Sequence, residues 1–241
     1  MTVIQGEQGE IPVYVSIPET EGQWPGVVVV HDALGMTKDL QNQTRWLAKA
    51  GYLAAAPDLF HWGGRLSCLF KTMRDLMKGD KGRAFDDLSA VRNWLIKHPG
   101  CTGEIGIVGF CYGGGYALAL APEHGYTAAA VNYGAVTDWG WSHLQNSCPI
   151  VGSFGEKDST LKREPERIKA ELIKHNVPHD IKIYEGVGHG FMNHHDARDS
   201  NWIFNFLSWA SNTSYNEKAT LDAQKRIILF FNTYLRRTEA I

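Results

Sequence analysis

The sequence predicts an α/β protein with a mostly parallel central sheet and helices on both faces. Three observations carry this. Short apolar stretches alternate with longer amphipathic ones along the 241 residues, the rhythm of strand–helix–strand units. Most of these stretches are apolar throughout rather than at every second residue, as in Gly26-Val27-Val28-Val29-Val30-His31, which suits strands covered on both sides. Finally, Ile105-Gly106-Ile107-Val108 runs through Gly109-Phe110-Cys111-Tyr112-Gly113-Gly114-Gly115 into Tyr116-Ala117-Leu118-Ala119-Leu120-Ala121: a strand, a very tight turn and a helix.

In chain order, strands are expected at 11–17, 26–31, 52–56, 104–110, 127–133, 148–154 and 180–185. Helices are expected at 38–50, 84–98, 114–122, 161–175 and 220–237. The last carries Leu221, Ile227, Ile228, Phe231, Tyr234 and Leu235 on roughly one face with charges between them, the mark of a helix laid on a core. No element is assigned between residues 58 and 83. No repeat, low-complexity tract or linker interrupts the chain, so residues 1–241 are read as one domain.

Composition narrows the function. Lys plus Arg number 24 and Asp plus Glu 26, a formal charge of −2, which gives no reason to expect nucleic acid or an anionic membrane surface as partner. No run of apolar residues is long enough to span a bilayer. The segment Met1-Thr2-Val3-Ile4-Gln5-Gly6-Glu7 has neither the basic nor the apolar region of a secretory signal. The cysteines Cys68, Cys101, Cys111 and Cys148 are scattered without a C-x-x-C pair. Structural zinc and a disulfide framework are therefore not expected, and a reducing cytoplasm fits.

The turn at 109–113 has the form of the G-x-S-x-G nucleophile elbow with cysteine in the serine position. Glycine is needed where strand and departing helix run too close for a Cβ. The helix N-terminus favours thiolate over thiol at Cys111. In such a sheet, reactive residues sit beyond the carboxyl ends of strands, and two more chemistry-bearing residues do. Asp158 follows Pro149–Phe154, and His189 follows Ile181–Tyr184 between Gly188 and Gly190. Cys…Asp…His is the chain order of the α/β-hydrolase triad. The thiol supplies the nucleophile, the imidazole takes and returns a proton, and the carboxylate orients the imidazole. Glu156 is the competing acid. An oxyanion needs two backbone donors: the N–H of Tyr112, and one from His31-Asp32-Ala33-Leu34-Gly35, for which Ala33 is favoured. His194, His195 and Asp196 are read as a solvated loop, because no further cluster supports a metal. The glycines 113–115 lie after the apex and are no dinucleotide loop.

Taken together, these residues resemble the dienelactone hydrolase family. The likeness runs through Pro25-Gly26-Val27-Val28-Val29, His31-Asp32-Ala33-Leu34-Gly35, Gly51-Tyr52, Pro57-Asp58-Leu59-Phe60, the cysteine elbow and Gly188-His189-Gly190-Phe191. The resemblance implies an α/β-hydrolase fold without a separate lid domain and a Cys-His-Asp triad. It also implies cofactor-free hydrolysis of small esters or lactones, of the carboxymethylenebutenolidase type; a monomer and a homodimer are both left open, because helix faces used for dimers look like core faces. The pocket walls are expected to be aromatic, from Tyr112, Tyr133, Phe191 and one of Trp62, Trp139 or Trp141, and Asp32 and Asn193 complete the expected substrate-binding set. The family's type enzyme has Glu where Asp32 stands, a carboxylate that pairs with the resting thiol, and Arg where Asn193 stands. Arg65 or Arg74 is the candidate for a second carboxylate-binding arginine. Two competing readings are a glutamine-amidotransferase-like elbow, which would need an acid rather than Phe191 two residues after the histidine, and a thiol sensor or ligand-binding protein on the same fold.

Overall fold

The computed structural model describes residues 1–79, 81–135, 141, 143–195 and 214–236. They build an eight-stranded sheet in the order β1-β2-β4-β3-β5-β6-β7-β8. Its strands are β1 (Thr2–Gly6), β2 (Gly9–Ser16), β3 (Trp24–Val30), β4 (Leu53–Pro57), β5 (Cys101–Phe110), β6 (Ala128–Asn132), β7 (Ile150–Gly155) and β8 (His179–Tyr184). β1 and β2 are antiparallel, as is β2 to β4, and every pairing from β4 through β8 is parallel. The helices are α1 (Lys38–Lys49), α2 (Arg65–Lys78), α3 (Arg83–Lys97), α4 (Tyr112–Leu120), α5 (Glu164–Lys174) and α6 (Glu217–Leu235).

The continuous apolar strands are explained by burial on both faces. Val28 and Val30 of β3 join one core with residues of α2, α3, α4 and α5. Val27 and Val29 join the other with Leu40 and Leu47 of α1 and Ala223, Ile227 and Phe231 of α6. The same alternation places Ile107 on one face and Val108 on the other. α4 is buried along its whole length, so its first turn is held as firmly as the sheet. α1 begins at Thr37, whose hydroxyl accepts from Leu40 N at 3.3 Å, and α6 at Asn216, whose side chain accepts from Ala219 N at 3.0 Å, the usual device for orphan first-turn amides.

Two elements lie outside the sequence expectations. β1 is a short hairpin partner of β2 with little apolar content. α2 occupies part of the unassigned stretch. It buries Cys68, Leu69 and Thr72 but leaves Leu66 and Met73 on the surface and Phe70 70% exposed, so its apolar residues do not trace one face. The last helix ends at Leu235 and Arg236 is non-helical, short of the expected end at 237, a residue that lies outside the described ones.

Arg226 fastens α6 to the sheet edge. It reaches the Asp180 carboxylate at 2.8 and 3.0 Å, Ser153 Oγ at 3.1 Å and the carbonyls of Asp180 and Gly152 at 2.8 and 3.3 Å. Charge-assisted bonds of this kind contribute most when desolvated. Arg226→Met should therefore lower stability by about 2–3 kcal/mol and the melting temperature by roughly 5–10 °C. Calorimetry showing an unchanged midpoint would rule out this fastening role.

Candidate active site

Cys111 terminates β5 and caps α4 with φ 54° and ψ −118°, a left-handed conformation that side-chain-bearing residues rarely adopt. Close backbone approach enforces it. A Cβ on Gly109 would lie 1.9 Å from the Gly113 carbonyl oxygen. A Cβ on Gly113 would lie 2.4 and 2.5 Å from the carbonyls of Val30 and His31. With no room for side chains on its flanks, the turn projects the half-buried Cys111 thiol beyond the strand end.

Asp158 follows β7 and is 1% exposed. Its Oδ1 accepts from Thr160 N at 2.9 Å and Thr160 Oγ at 2.6 Å. Its Oδ2 accepts from His189 Nδ1 at 2.5 Å. A carboxylate only accepts, so Nδ1 carries a proton, and the opposite side of the ring is free to address the thiol. The Cys111 side chain lies close enough to the imidazole to raise its basicity. The structure thus brings Cys111, His189 and Asp158 together from the ends of three strands. Glu156 is elsewhere: its carboxylate accepts from Gly186 N at 2.8 Å.

Charge follows this geometry. Burial alone would lower the His189 pKa; the neighbouring Cys111 charge and the Asp158 bond oppose it and raise the imidazole to about 10. Burial alone would raise the Asp158 carboxyl; the bonds from His189 and Thr160 outweigh it and hold the group below its usual range.

In the turn after β3, Leu34 N donates to Asp32 Oδ1 at 2.8 Å and Gly35 N to the Asp32 carbonyl at 3.2 Å. Cys111 N donates to the Asn132 carbonyl at 3.0 Å and Gly115 N to the Cys111 carbonyl at 3.2 Å. Ala33 and Tyr112, the sequence candidates for the oxyanion donors, lie in these two turns, Tyr112 as the first residue of α4, where first-turn amides have no acceptor within the helix.

The remaining site candidates are tied to one another. Asp32 Oδ2 pairs with His195 Nε2 at 2.6 Å rather than with the thiol. His195, read from sequence as part of a solvated loop, is therefore a hydrogen-bond partner of the turn after β3. Tyr133 is 1% exposed, packs edge-on against His189 with ring centroids 5.2 Å apart, and donates its hydroxyl to Asn193 Oδ1 at 2.5 Å. Asn193 Nδ2 in turn donates to Asp39 Oδ2 at 2.7 Å, and His194 N to Asp39 Oδ1 at 3.0 Å. Phe191 corrects the expectation of a pocket wall: it has no exposed surface and packs in the core against Tyr133 and Tyr184. Trp141 is buried beneath the Arg167 guanidinium, and Trp62 lies between Lys71 and Arg83. Trp139 and Asp196 fall outside the described residues. Arg74 is an exposed neighbour of Asp75, and Arg65 opens α2 on the surface.

Sequence reading missed Asp39, because its partners lie 154 and 155 residues away and no local pattern announces them. Among the described residues no cluster of three or more His, Cys, Asp or Glu could hold a metal ion, and no helix is long and apolar enough to cross a membrane. A cleft of about 530 Å³ between α1 and α6 is lined by Asp39, Gln43, Trp46, Met192 and His194 among others, and not by Cys111.

The sequence model of the dienelactone hydrolase family matches residues 11–235. The chain belongs to the dienelactone hydrolase family. It is 31% identical over 206 residues to a Yersinia pestis protein named "Putative carboxymethylenebutenolidase", covering 79% of this chain and 77% of that one. It is 27% identical over 207 residues to a Bradyrhizobium sp protein named "Probable 2-oxo-3-(5-oxofuran-2-ylidene)propanoate lactonase", covering 78% and 82%. A Klebsiella pneumoniae structure described as "Putative Dienelactone Hydrolase" superposes with a TM-score of 0.79 at 25% identity, covering 97% of each chain. The fold is that of the α/β-hydrolases, and membership of this dienelactone hydrolase family makes the protein a hydrolase of carboxylic esters or lactones.

The Cys111 charge is the chief support for the raised His189 pKa. Cys111→Ala should therefore shift the imidazole titration, followed by NMR, clearly downward from about 10; an unmoved titration would contradict the pairing. For Asp158, whose folded pKa is depressed, the stability gain is present above the ordinary 3.8 and lost as pH falls through the lowered value. Asp158→Asn should accordingly flatten the acid limb of a urea-unfolding series.

Proposed function

We propose that the protein hydrolyses small, uncharged esters or lactones through a thioester on Cys111. The observation that carries this is the line of Asp158 Oδ2, His189 Nδ1 at 2.5 Å and the Cys111 thiol in range of the same ring. The thiolate adds to the ester carbonyl, and the oxyanion is held by the amides of Ala33 and Tyr112. The tetrahedral species collapses, the C–O bond breaks, and His189 gives its proton to the departing alkoxide. In a lactone that alkoxide stays tethered to the acyl group. Water then attacks the thioester as His189 removes its proton. The second collapse releases the acid and returns the thiolate beside an imidazolium.

The preference for uncharged substrates rests on Asn193. Its amide is neutral, and both its ends are engaged, by Tyr133 and by Asp39. It therefore offers no bidentate cation to a substrate carboxylate. The Asp32 carboxylate is bonded to His195 Nε2 at 2.6 Å, so this pair offers an anionic substrate no unopposed cation.

Cys111→Ala should abolish hydrolysis of a small aryl ester while leaving the circular dichroism spectrum unchanged, and a slowly hydrolysed ester should add one acyl mass to the native chain. Full activity in that variant would defeat the mechanism. In a substrate screen, neutral esters and lactones should exceed carboxylated analogues in kcat/KM by about tenfold or more, the value of one missing charge-assisted contact. The reverse preference would show that another cation receives the carboxylate.

A further inference from the structure

We propose that His31 is a positioning residue for the oxyanion turn, a neutral imidazole that orients the peptide between Asp32 and Ala33. The inference rests on the ester-hydrolase reading above. His31 is fully buried. Its Nδ1 lies 2.6 Å from the Asp32 carbonyl oxygen; a carbonyl can only accept, so Nδ1 carries the proton. Its Nε2 lies 3.1 Å from Leu59 N; a backbone amide can only donate, so Nε2 is bare. The two bonds together select one tautomer and exclude the imidazolium.

The atom that His31 grips is the reason the bond matters. The Asp32 carbonyl and the Ala33 N–H belong to the same peptide unit, which is planar and trans. Carbonyl and amide point in opposite directions across it, so fixing the oxygen on one side fixes where the Ala33 amide points on the other. Gly35 N also donates to that oxygen at 3.2 Å, and Asp32 Oδ1 is taken by Leu34 N at 2.8 Å. Neither of these bonds uses the Ala33 amide. Leu59 anchors the imidazole from the loop after β4, so the turn after β3 is tied to its neighbour rather than standing alone.

The surroundings keep the ring neutral. Phe60 meets it edge-on at 4.6 Å and Tyr112 stacks at 6.0 Å. Burial lowers its pKa and outweighs the Asp32 and Asp58 charges that would raise it, while Arg65 lowers it further. The mechanism gives His31 no proton to move, and it has no exposed surface on which to meet substrate.

The test separates acyl transfer from thiol reactivity. Alkylation of Cys111 by iodoacetamide develops no oxyanion, whereas acylation by a p-nitrophenyl ester does. His31→Phe keeps an aromatic ring and removes both hydrogen bonds. It should lower ester kcat/KM by about 100-fold, mostly in kcat, while the alkylation rate of Cys111 is unchanged. His31→Asn can still donate to the Asp32 carbonyl and should recover part of the loss; it carries the same comparison if the Phe variant does not fold. Hydrolysis and alkylation falling in parallel, or ester hydrolysis staying at the wild-type rate, would overturn the proposal. Failure of the hydrolase reading looks different: the wild-type protein would then be inert toward the ester, or Cys111→Ala would retain activity.

Discussion

Backbone touching backbone at the crossing of β5, α4 and β3 is the constraint on which the candidate site depends. The Gly109 and Gly113 contacts leave no space for a methyl group on either side of the elbow. Cys111 is consequently held in a left-handed conformation whose cost is carried by the surrounding burial. α4 is buried throughout and β3 has both faces covered. The strain is therefore localised on a part of the chain that cannot relax, and the first-turn amides of α4 are presented in a fixed direction.

The imidazole side of the site is built differently, from polar clamps. Residues 185–195, after β8, have no strand or helix of their own, yet their carbonyls are held from two helices. Gln43 of α1 donates to the Met192 carbonyl at 2.8 Å, and Thr220 and Asn216 at the start of α6 donate to the Phe191 carbonyl at 2.9 and 3.0 Å. Asp39 takes the Asn193 amide and His194 N, and burial raises its carboxyl while those bonds lower it. Phe191, with no surface exposed, acts as the apolar peg beneath these bonds. The segment that carries His189 is in this way given a rigid frame.

Much of this was legible in the sequence where the signal is local. The β3 run Val27–Val30 announces a strand buried on both sides, and the strand–glycine–cysteine–glycine–helix order announces the elbow. Asp158 and His189 are readable because strand ends are readable. What escaped has a common cause: its meaning lies in contacts across long sequence separations. Asp39 reads as an ordinary first-turn acid, His195 as surface decoration and Phe191 as a pocket aromatic until the folded chain sets them against Asn193, Asp32 and Tyr184. The helix α2 escaped for another reason, since exposed Phe70 and Met73 blur the period by which amphipathic helices are recognised.

The steric demand at the elbow falls on residues 109 and 113, while residue 111 between them carries a half-buried side chain. Architecture and reagent are therefore separable here. The framework constrains the backbone at that apex without dictating which heteroatom the side chain carries, so oxygen could replace sulfur without any rebuilding of the scaffold around it. Substitution there changes the size and softness of that atom, and the glycines at its shoulders are the part that cannot drift.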